Sequence, residues 1–103
     1  MKLVTIENWP GKDYEILGMV KGTVVQSKNL GKDFMAGMKT LVGGEIVGYT
    51  EKVVEARAIA TKRMVDEAEA LGADAIIGIR YGSSSVMQSA AEVLAYGTAI
   101  RFI

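Results

Sequence analysis

The feature that most constrains the fold is one long segment, residues 49–72, whose sequence YTEKVVEARAIATKRMVDEAEALG has the periodicity of an amphipathic helix. Its apolar side is made of Val53, Ala60, Met64, Ala68 and Leu71, broadened by Val54, Ala56 and Val65, and its polar side carries Glu55, Lys62, Asp66 and Glu69. Thr50 is the predicted N-cap, and Gly72 is the predicted C-cap. A helix of about 20 residues with one apolar side has to lie on a sheet or on another helix.

The C-terminal segment, residues 92–103 with the sequence EVLAYGTAIRFI, has the clearest strand pattern, and its two faces differ in size. The bulky face consists of Leu94, Tyr96, Thr98, Ile100 and Phe102, and the small face of Val93, Ala95, Gly97 and Ala99. A period of two sustained along the segment fixes the register of a strand. The small face is one reason to expect close contact with a second subunit.

Three further segments are predicted strands: KLVTI at 2–6, YEILGMVKGTVVQS at 14–27 and ADAIIGIRYGSSSVM at 73–87. In the last of them one face is expected to hold Ile77, Ile79 and Tyr81, and the other Ile76, Gly78 and Arg80. Gly18 and Gly22 share a face of the second strand, where missing side chains leave room for a close neighbour or a bend. Pro10 followed by Gly11 suits a type II turn.

The segment NLGKDFMAGMKTLVGG, residues 29–44, is predicted to form a short or distorted helix with Asn29 as its N-cap. Its apolar residues recur at helical spacing, but two internal glycines weaken it. The predicted order is therefore β-β-α-α-β-β, an α+β fold with an antiparallel or mixed sheet packed by one long and one short helix. A chain of 103 residues with one proline and no break in composition is expected to be a single domain, 1–103.

Composition excludes several classes of function. The 12 basic residues balance the 12 acidic ones and are scattered, so no nucleic-acid or membrane partner is expected. Cysteine and histidine are both absent, which removes disulfides, thiol nucleophiles, Ser-His catalysis and the usual zinc ligands. No segment has the length of a signal peptide or a membrane span, so a cytoplasmic protein is expected. An apolar content of 50% suggests apolar surface buried between subunits.

Four segments, EAEALGADAIIGI, LAYGTAI, ILGMVKG and LVGGEIVGYTE, together resemble the YbjQ-like family, which carries the label "putative heavy-metal-binding domain". The resemblance covers nearly the whole chain. It implies a small α+β subunit related to the dodecin-like folds, assembly into a ring-shaped pentamer, and no established activity. Some family members have Arg-Ser after the paired glycines, where this chain has Glu45 and Ile46, so a role of that arginine does not carry over.

The loop LVGGEIVGYTE, residues 41–51, could be a phosphate cradle or a connection between helices. Gly43, Gly44 and the expected helix start favour an anion, but neither nucleotide-binding glycine motif is present and nearby glutamates would repel phosphate. A connection between two helices is the preferred interpretation. Tyr49 is expected to pack at the helix start, with ligand stacking or a subunit contact as the alternative.

The other candidate sites have structural alternatives that are at least as good. The methionines Met35, Met38, Met64 and Met87 suit a soft ion or an ordinary core. Ser83, Ser84 and Ser85 lack an activating base and are expected in a polar, solvated strand. Asp66, Glu67 and Glu69 belong to a charged helix end, and Asp74 to a turn. Gln88 and Glu92 are candidates for a pocket between subunits.

Three hypotheses follow from the sequence. The leading one is a non-enzymatic homo-oligomer, expected to be a pentamer, that binds something or acts as a scaffold without a cofactor; its ligand and interface candidates are Gly43, Gly44, Tyr49, Thr50, Gln88 and Glu92. The alternative is a metal-binding protein, although no ligand set is apparent. An enzyme that uses a carboxylate or lysine between subunits stays open, and would require an interchain pocket with converging polar groups.

Overall fold

The computed structural model describes residues 1–27, 41–42, 45–87 and 90–103 of the chain. Its elements are β1 (Lys2–Leu3), β2 (Tyr14–Ser27), β3 (Leu41–Val42), β4 (Glu45–Ile46), α1 (Val47–Ala70), β5 (Ala75–Met87) and β6 (Ala90–Phe102). Four strands form a mixed sheet in the order β1-β5-β6-β2, in which β1 is parallel to β5 and the other neighbours are antiparallel. The α+β class and the mixed sheet are as the sequence predicts.

The long helix ends where the sequence predicts. Gly72 has φ of 79°, and its N–H donates to the carbonyl of Glu69, while the N–H of Ala73 donates to the carbonyl of Ala68. This pair of bonds is the Schellman motif, which satisfies carbonyls that the last turn leaves free. The chain then turns directly into β5.

The helix begins earlier than predicted, so the assignment of Thr50 as N-cap is wrong. The first helical residue is Val47, and α1 runs for 24 residues. Thr50 and Tyr49 therefore lie inside the first turn, not before it. The helix follows β4 directly, and this short strand sets where the helix begins.

The interpretation of residues 41–51 as a junction between two helices is also wrong at its described residues. Leu41 pairs with Ile46, and Val42 with Glu45, in a small antiparallel sheet. The predicted helix at 29–44 therefore does not extend to its expected end. Two short strand segments separated by two glycines are a hairpin signal, and that signal outweighs the helical spacing of Leu41. The rest of that predicted helix, with its cap Asn29, lies outside the described residues.

The helix packs on one face of the sheet, over β2 and β6. Its buried row is Ala56, Ala60, Met64 and Ala68, one residue per turn, and the sheet meets it with Val20, Val24, Ile76, Ile79, Ala95 and Ala99. The approach is closest at Gly22, where an added Cβ would lie 1.9 Å from the carbonyl oxygen of Ala60. The small face of β6 is therefore occupied by the chain's own helix, which removes it as an argument for a subunit contact.

A bulge in β5 corrects the predicted faces of that strand. Ile77 pairs with Thr98 but Arg80 pairs with Tyr96, so two residues of β5 oppose one of β6. Gly78 has φ of 62°, the conformation of the first residue in a glycine-dependent bulge. Ile79 consequently joins the core under the helix, whereas Ile77 packs on the opposite side of the sheet. Strict alternation of side chains along the strand predicted Ile77 and Ile79 on the same face.

The second face of the sheet is covered at one end by the N-terminal segment. Ala75, Ile77 and Ile100 are buried there beneath Val4, Trp9, Tyr14 and Phe102. The predicted strand at 2–6 is regular only over Lys2–Leu3, because β5 bulges at Gly78, although the N–H of Gly78 still donates to the carbonyl of Ile6 at 2.7 Å. At Gly11, φ of 83° agrees with the predicted type II turn.

Candidate functional site

A cleft lies between α1 and the part of the sheet that α1 does not cover. The helix crosses β2 and β6, so the helix side of β5 beyond the bulge stays open. The cleft has a volume of about 300 Å³ and is lined by Val53, Arg57, Tyr81, Gly82, Ser83 and Val93. Val53 and Arg57 are one helical turn apart on the side of α1 that faces β5.

A chain of hydrogen bonds fixes the wall of the cleft. The hydroxyl of Thr61 donates to the carbonyl of Arg57 at 2.7 Å and lies 2.8 Å from the hydroxyl of Tyr81. Thr61 has one hydroxyl proton, and that proton serves the carbonyl. Tyr81 is therefore the donor to Thr61, and its ring is tied to the helix across the cleft.

Arg57 is the charged group of the cleft. The chain has four arginines. Arg63 donates to the carbonyl of Thr23, Arg80 donates to that of Thr5 and pairs with Glu7, and Arg101 pairs with Glu15. Within the described part of the chain, the guanidinium of Arg57 has no such partner. Its five donors are free to meet a ligand that enters the cleft.

A second candidate surface is the uncovered part of the sheet's second face, which we call the open face: Ile16, Met19, Val25, Leu94 and Tyr96. Ile16, Met19 and Val25 are 69%, 68% and 56% exposed. All three lie on this face of β2, because a bulge at Leu17 places Ile16 and Met19 on the same side, and Lys21 and Thr23 stand between Met19 and Val25. Exposed apolar patches of this kind mark interaction sites on soluble proteins.

The outer edge of β2 adjoins the open face. This strand has 14 residues and pairs with β6 on one side, and no strand in the described ranges pairs with its other side. Two side chains of α1 reach over this edge: Glu67 accepts from the N–H of Lys21, and Arg63 donates to the carbonyl of Thr23. The remaining backbone groups of an edge strand are able to pair with another chain.

The structure brings few of the predicted site residues together. Gly43, Gly44 and Gln88 lie outside the described residues, and Tyr49 and Thr50 are placed only as helical backbone. Glu92 lies on the second face of the sheet, between Val25 of β2 and Ser84 of β5. It therefore does not line the cleft. The subunit roles predicted for these six residues stay predictions.

The remaining candidates have structural roles. The serine segment is exposed strand, as predicted, and Ser85 donates to the carbonyl of Met87. Asp74 accepts from the N–H of Phe102 at 2.9 Å and so joins the start of β5 to the end of β6. Asp66 pairs with Lys62 on the solvent side of α1. None of these arrangements, among the residues described, supplies a base to a nucleophile.

The donor groups that the structure describes do not fit a heavy-metal site. The chain has no histidine or cysteine, and the described ranges hold no cluster of three carboxylates that could ligate an ion. Met64 is fully buried in the core under α1, whereas Met19 and Met87 are exposed. Met35 and Met38 lie outside the described residues. Soft metals need thiolate, thioether or imidazole ligands that converge, and no such set is present in the part of the chain that the structure covers.

Nothing in the described elements is suited to span a bilayer: α1 is not apolar enough over a sufficient length.

The sequence analysis did not identify the cleft, which depends on Arg57, Tyr81 and Ser83. The spacing of Val53 and Arg57 on one helix side was available from the sequence, but the distance to β5 was not.

Comparison with known proteins gives relatives over the full length. A family model described as "Putative heavy-metal-binding" (YbjQ) matches residues 1–103. A UPF0145 protein of Fervidobacterium nodosum is 64% identical over 102 residues, which cover 98% of this chain and 94% of that protein. A UPF0145 protein of Clostridium novyi is 56% identical over the full length of both chains.

A solved structure shares the fold. The crystal structure of a protein of unknown function from Pediococcus pentosaceus, assigned to the DUF74 family, matches with a TM-score of 0.71 at 20% sequence identity. The match covers 100% of this chain and 98% of that one. At this identity the likeness concerns the fold alone.

Proposed function

The chain belongs to the YbjQ (UPF0145) family, and from that premise we propose that it acts as a homo-oligomeric binding or scaffold protein whose copies meet at the open face and the outer edge of β2. The observation that carries the proposal is the exposure of Ile16, Met19 and Val25 on one face of β2, beside an edge with which no strand in the described ranges pairs. We take a second copy of the chain as the partner, because copies of the chain are present wherever the protein is.

The open face gives such a contact its free energy. Burying a Val, Ile or Met side chain fully is worth about 1.5–3 kcal/mol, so each of these three, already partly covered, contributes about 1–2 kcal/mol. Specific interfaces also need orientation, because association costs translational and rotational freedom. The edge of β2 supplies that orientation through backbone hydrogen bonds to an added strand.

The ring of five and the dodecin-like subunit belong to the same proposal. If β2 of one copy paired with β2 of another, the two copies would use the same surface and form a closed dimer. In a ring, the open face of each copy would instead meet a different surface of the next copy. The two geometries differ in mass: two chains of 11.0 kDa give about 22 kDa, and five give about 55 kDa. A site between subunits would be complete only in the assembly.

The test is the mass of the protein in solution. Light scattering after gel filtration at micromolar concentration should give about 55 kDa for five 11.0-kDa chains. Met19→Glu should shift the protein to smaller species, because it places a charge in the buried contact. Ala58→Glu is the matched control, since it adds the same charge at an exposed position of α1. A wild-type monomer overturns the proposal, and so does an unchanged mass for Met19→Glu.

A further inference from the structure

We propose that the cleft between α1 and β5 binds a small monocarboxylate with a short apolar chain, with Arg57 as the residue that holds the carboxylate. This site lies within one chain, on the helix side of the sheet, whereas the proposed assembly uses the opposite face and the edge of β2. One chain supplies all of the lining residues named here, so the cleft exists before the copies associate.

The first argument is charge. Three of the four arginines are engaged with a carbonyl or a carboxylate, and Arg57 has neither within the described residues. A guanidinium presents two parallel N–H donors that match a carboxylate, and such bidentate pairs are among the stronger polar contacts. The cleft offers no second cation among its lining residues, so it matches one negative charge better than two.

The second argument is the rigidity of the site. Thr61 and Tyr81 connect α1 to β5 beside Arg57, and the carbonyl of Arg57 is part of that connection. The helix side of the cleft is held by the packing of Ala56 and Ala60 on the sheet. The backbone of Arg57, the residue proposed to bind the anion, is therefore held in place on α1. The ordering cost on binding therefore falls mainly on the Arg57 side chain and not on the backbone of the cleft.

The third argument is the shape and polarity of the rest of the cleft. Val53 and Val93 line it together with the ring of Tyr81, and the hydroxyl of Ser83 is a further donor. A volume of about 300 Å³ is at the lower end of ligand sites. Since a cavity of about 150 Å³ holds one benzene, this space suits about ten non-hydrogen atoms. A carboxylate on a short alkyl or aryl chain has that size and that division of polarity.

The experiment follows valine methyl signals by NMR in the assembled protein during titration with 3-phenylpropanoate. We expect saturable shifts for Val53 and Val93, which line the cleft, and none for Val4, which packs on the other side of the sheet. The neutral amide 3-phenylpropanamide should bind at least about tenfold more weakly, because a hydrogen bond to a charged group exceeds the 1.4 kcal/mol of a tenfold change. Phenyl phosphate tests the dianion and should bind no better than the carboxylate.

Arg57→Gln should weaken binding of 3-phenylpropanoate by at least about tenfold and should leave binding of the amide nearly unchanged. Lys62→Gln is the matched control: it removes one positive charge from the solvent side of the same helix and should leave the affinity within about twofold. The proposal is overturned if no probe shifts Val53 and Val93 at millimolar concentration. Equal affinity for acid and amide, or for wild type and Arg57→Gln, overturns it as well.

Discussion

The two faces of the sheet differ in how their apolar side chains are covered. On the helix side, alanines and a glycine let α1 come close, and Val20, Ala95 and Ala99 have no exposed surface. On the second face the N-terminal segment covers Ile77 and Ile100, but the open face beyond it is bare. Both faces of β2 carry apolar residues, although Lys21 and Thr23 interrupt those of the second face. The difference teaches that small side chains mark the face that the chain's own helix covers, whereas large exposed ones mark a face that the described elements leave uncovered.

The largest expected effect tests the close contact on the helix side. Gly22→Ala should lower the free energy of unfolding by about 3 kcal/mol or more, because its Cβ would lie 1.9 Å from the carbonyl oxygen of Ala60 and 2.5 Å from the nitrogen of Met64. Both neighbours are backbone atoms, which cannot rotate away. Urea denaturation followed by circular dichroism measures the change.

Gly82→Ala is the control for that substitution. No atom lies within 4 Å of the Cβ that it would add, and the glycine is in the same sheet. Its effect should be below about 1 kcal/mol in either direction. If the two variants were equally stable, the helix would not lie as close to β2 as the structure places it.

A second, smaller effect tests the covered end of the second face. Trp9→Ala should lower the free energy of unfolding by about 2–3 kcal/mol, because its ring packs edge-to-face against Phe102 with the ring centres 5.1 Å apart. The loss should be somewhat smaller than for a fully buried tryptophan, since Trp9 is half-buried. Thermal unfolding measured by calorimetry would show the loss as a lower Tm.

Lys12→Gln shows how much of the stability at Phe102 comes from the lysine and how much from Trp9. The Nζ of Lys12 lies 4.6 Å from the centre of the Phe102 ring, on the exposed side, and its removal should cost less than about 1 kcal/mol. A cost for Trp9→Ala as small as this would mean that the N-terminal segment does not cover the sheet, and the two ends of the second face would then be alike.

Sequence reasoning succeeded where one local pattern decides the outcome. The helix end at Gly72 and the bounds of β2 follow from glycine conformation and from strand length, and both are confirmed. It failed where two patterns compete. At Leu41 helical spacing competed with a hairpin signal, and at Gly78 alternation competed with a bulge. At Gly78 the error comes from a positive φ that redirects the residues after the glycine.

The candidate sites could be predicted less well than the fold, since a site depends on distances between elements. Arg57 gave no signal as a site residue because a charged residue on a helix is usually only solvated. Its significance comes from the placement of α1 over β2 and β6, which leaves β5 open beside it. The small face of β6 was misjudged for a related reason: small residues predict a close neighbour, but not which one.

An effect smaller than that of Trp9→Ala is expected at the edge of β2, where two side chains of α1 reach over the strand. Glu67→Ala should cost about 0.5–1.5 kcal/mol, because it removes the acceptor of the Lys21 N–H at 3.3 Å. Glu69→Ala on the same helix removes the same charge at an exposed position and should cost less than about 0.5 kcal/mol. Hydrogen exchange of the Lys21 amide should accelerate only in the first variant. Unaltered protection there would indicate that a second chain, and not Glu67, holds this part of the edge, since an amide paired to another strand stays protected without the carboxylate.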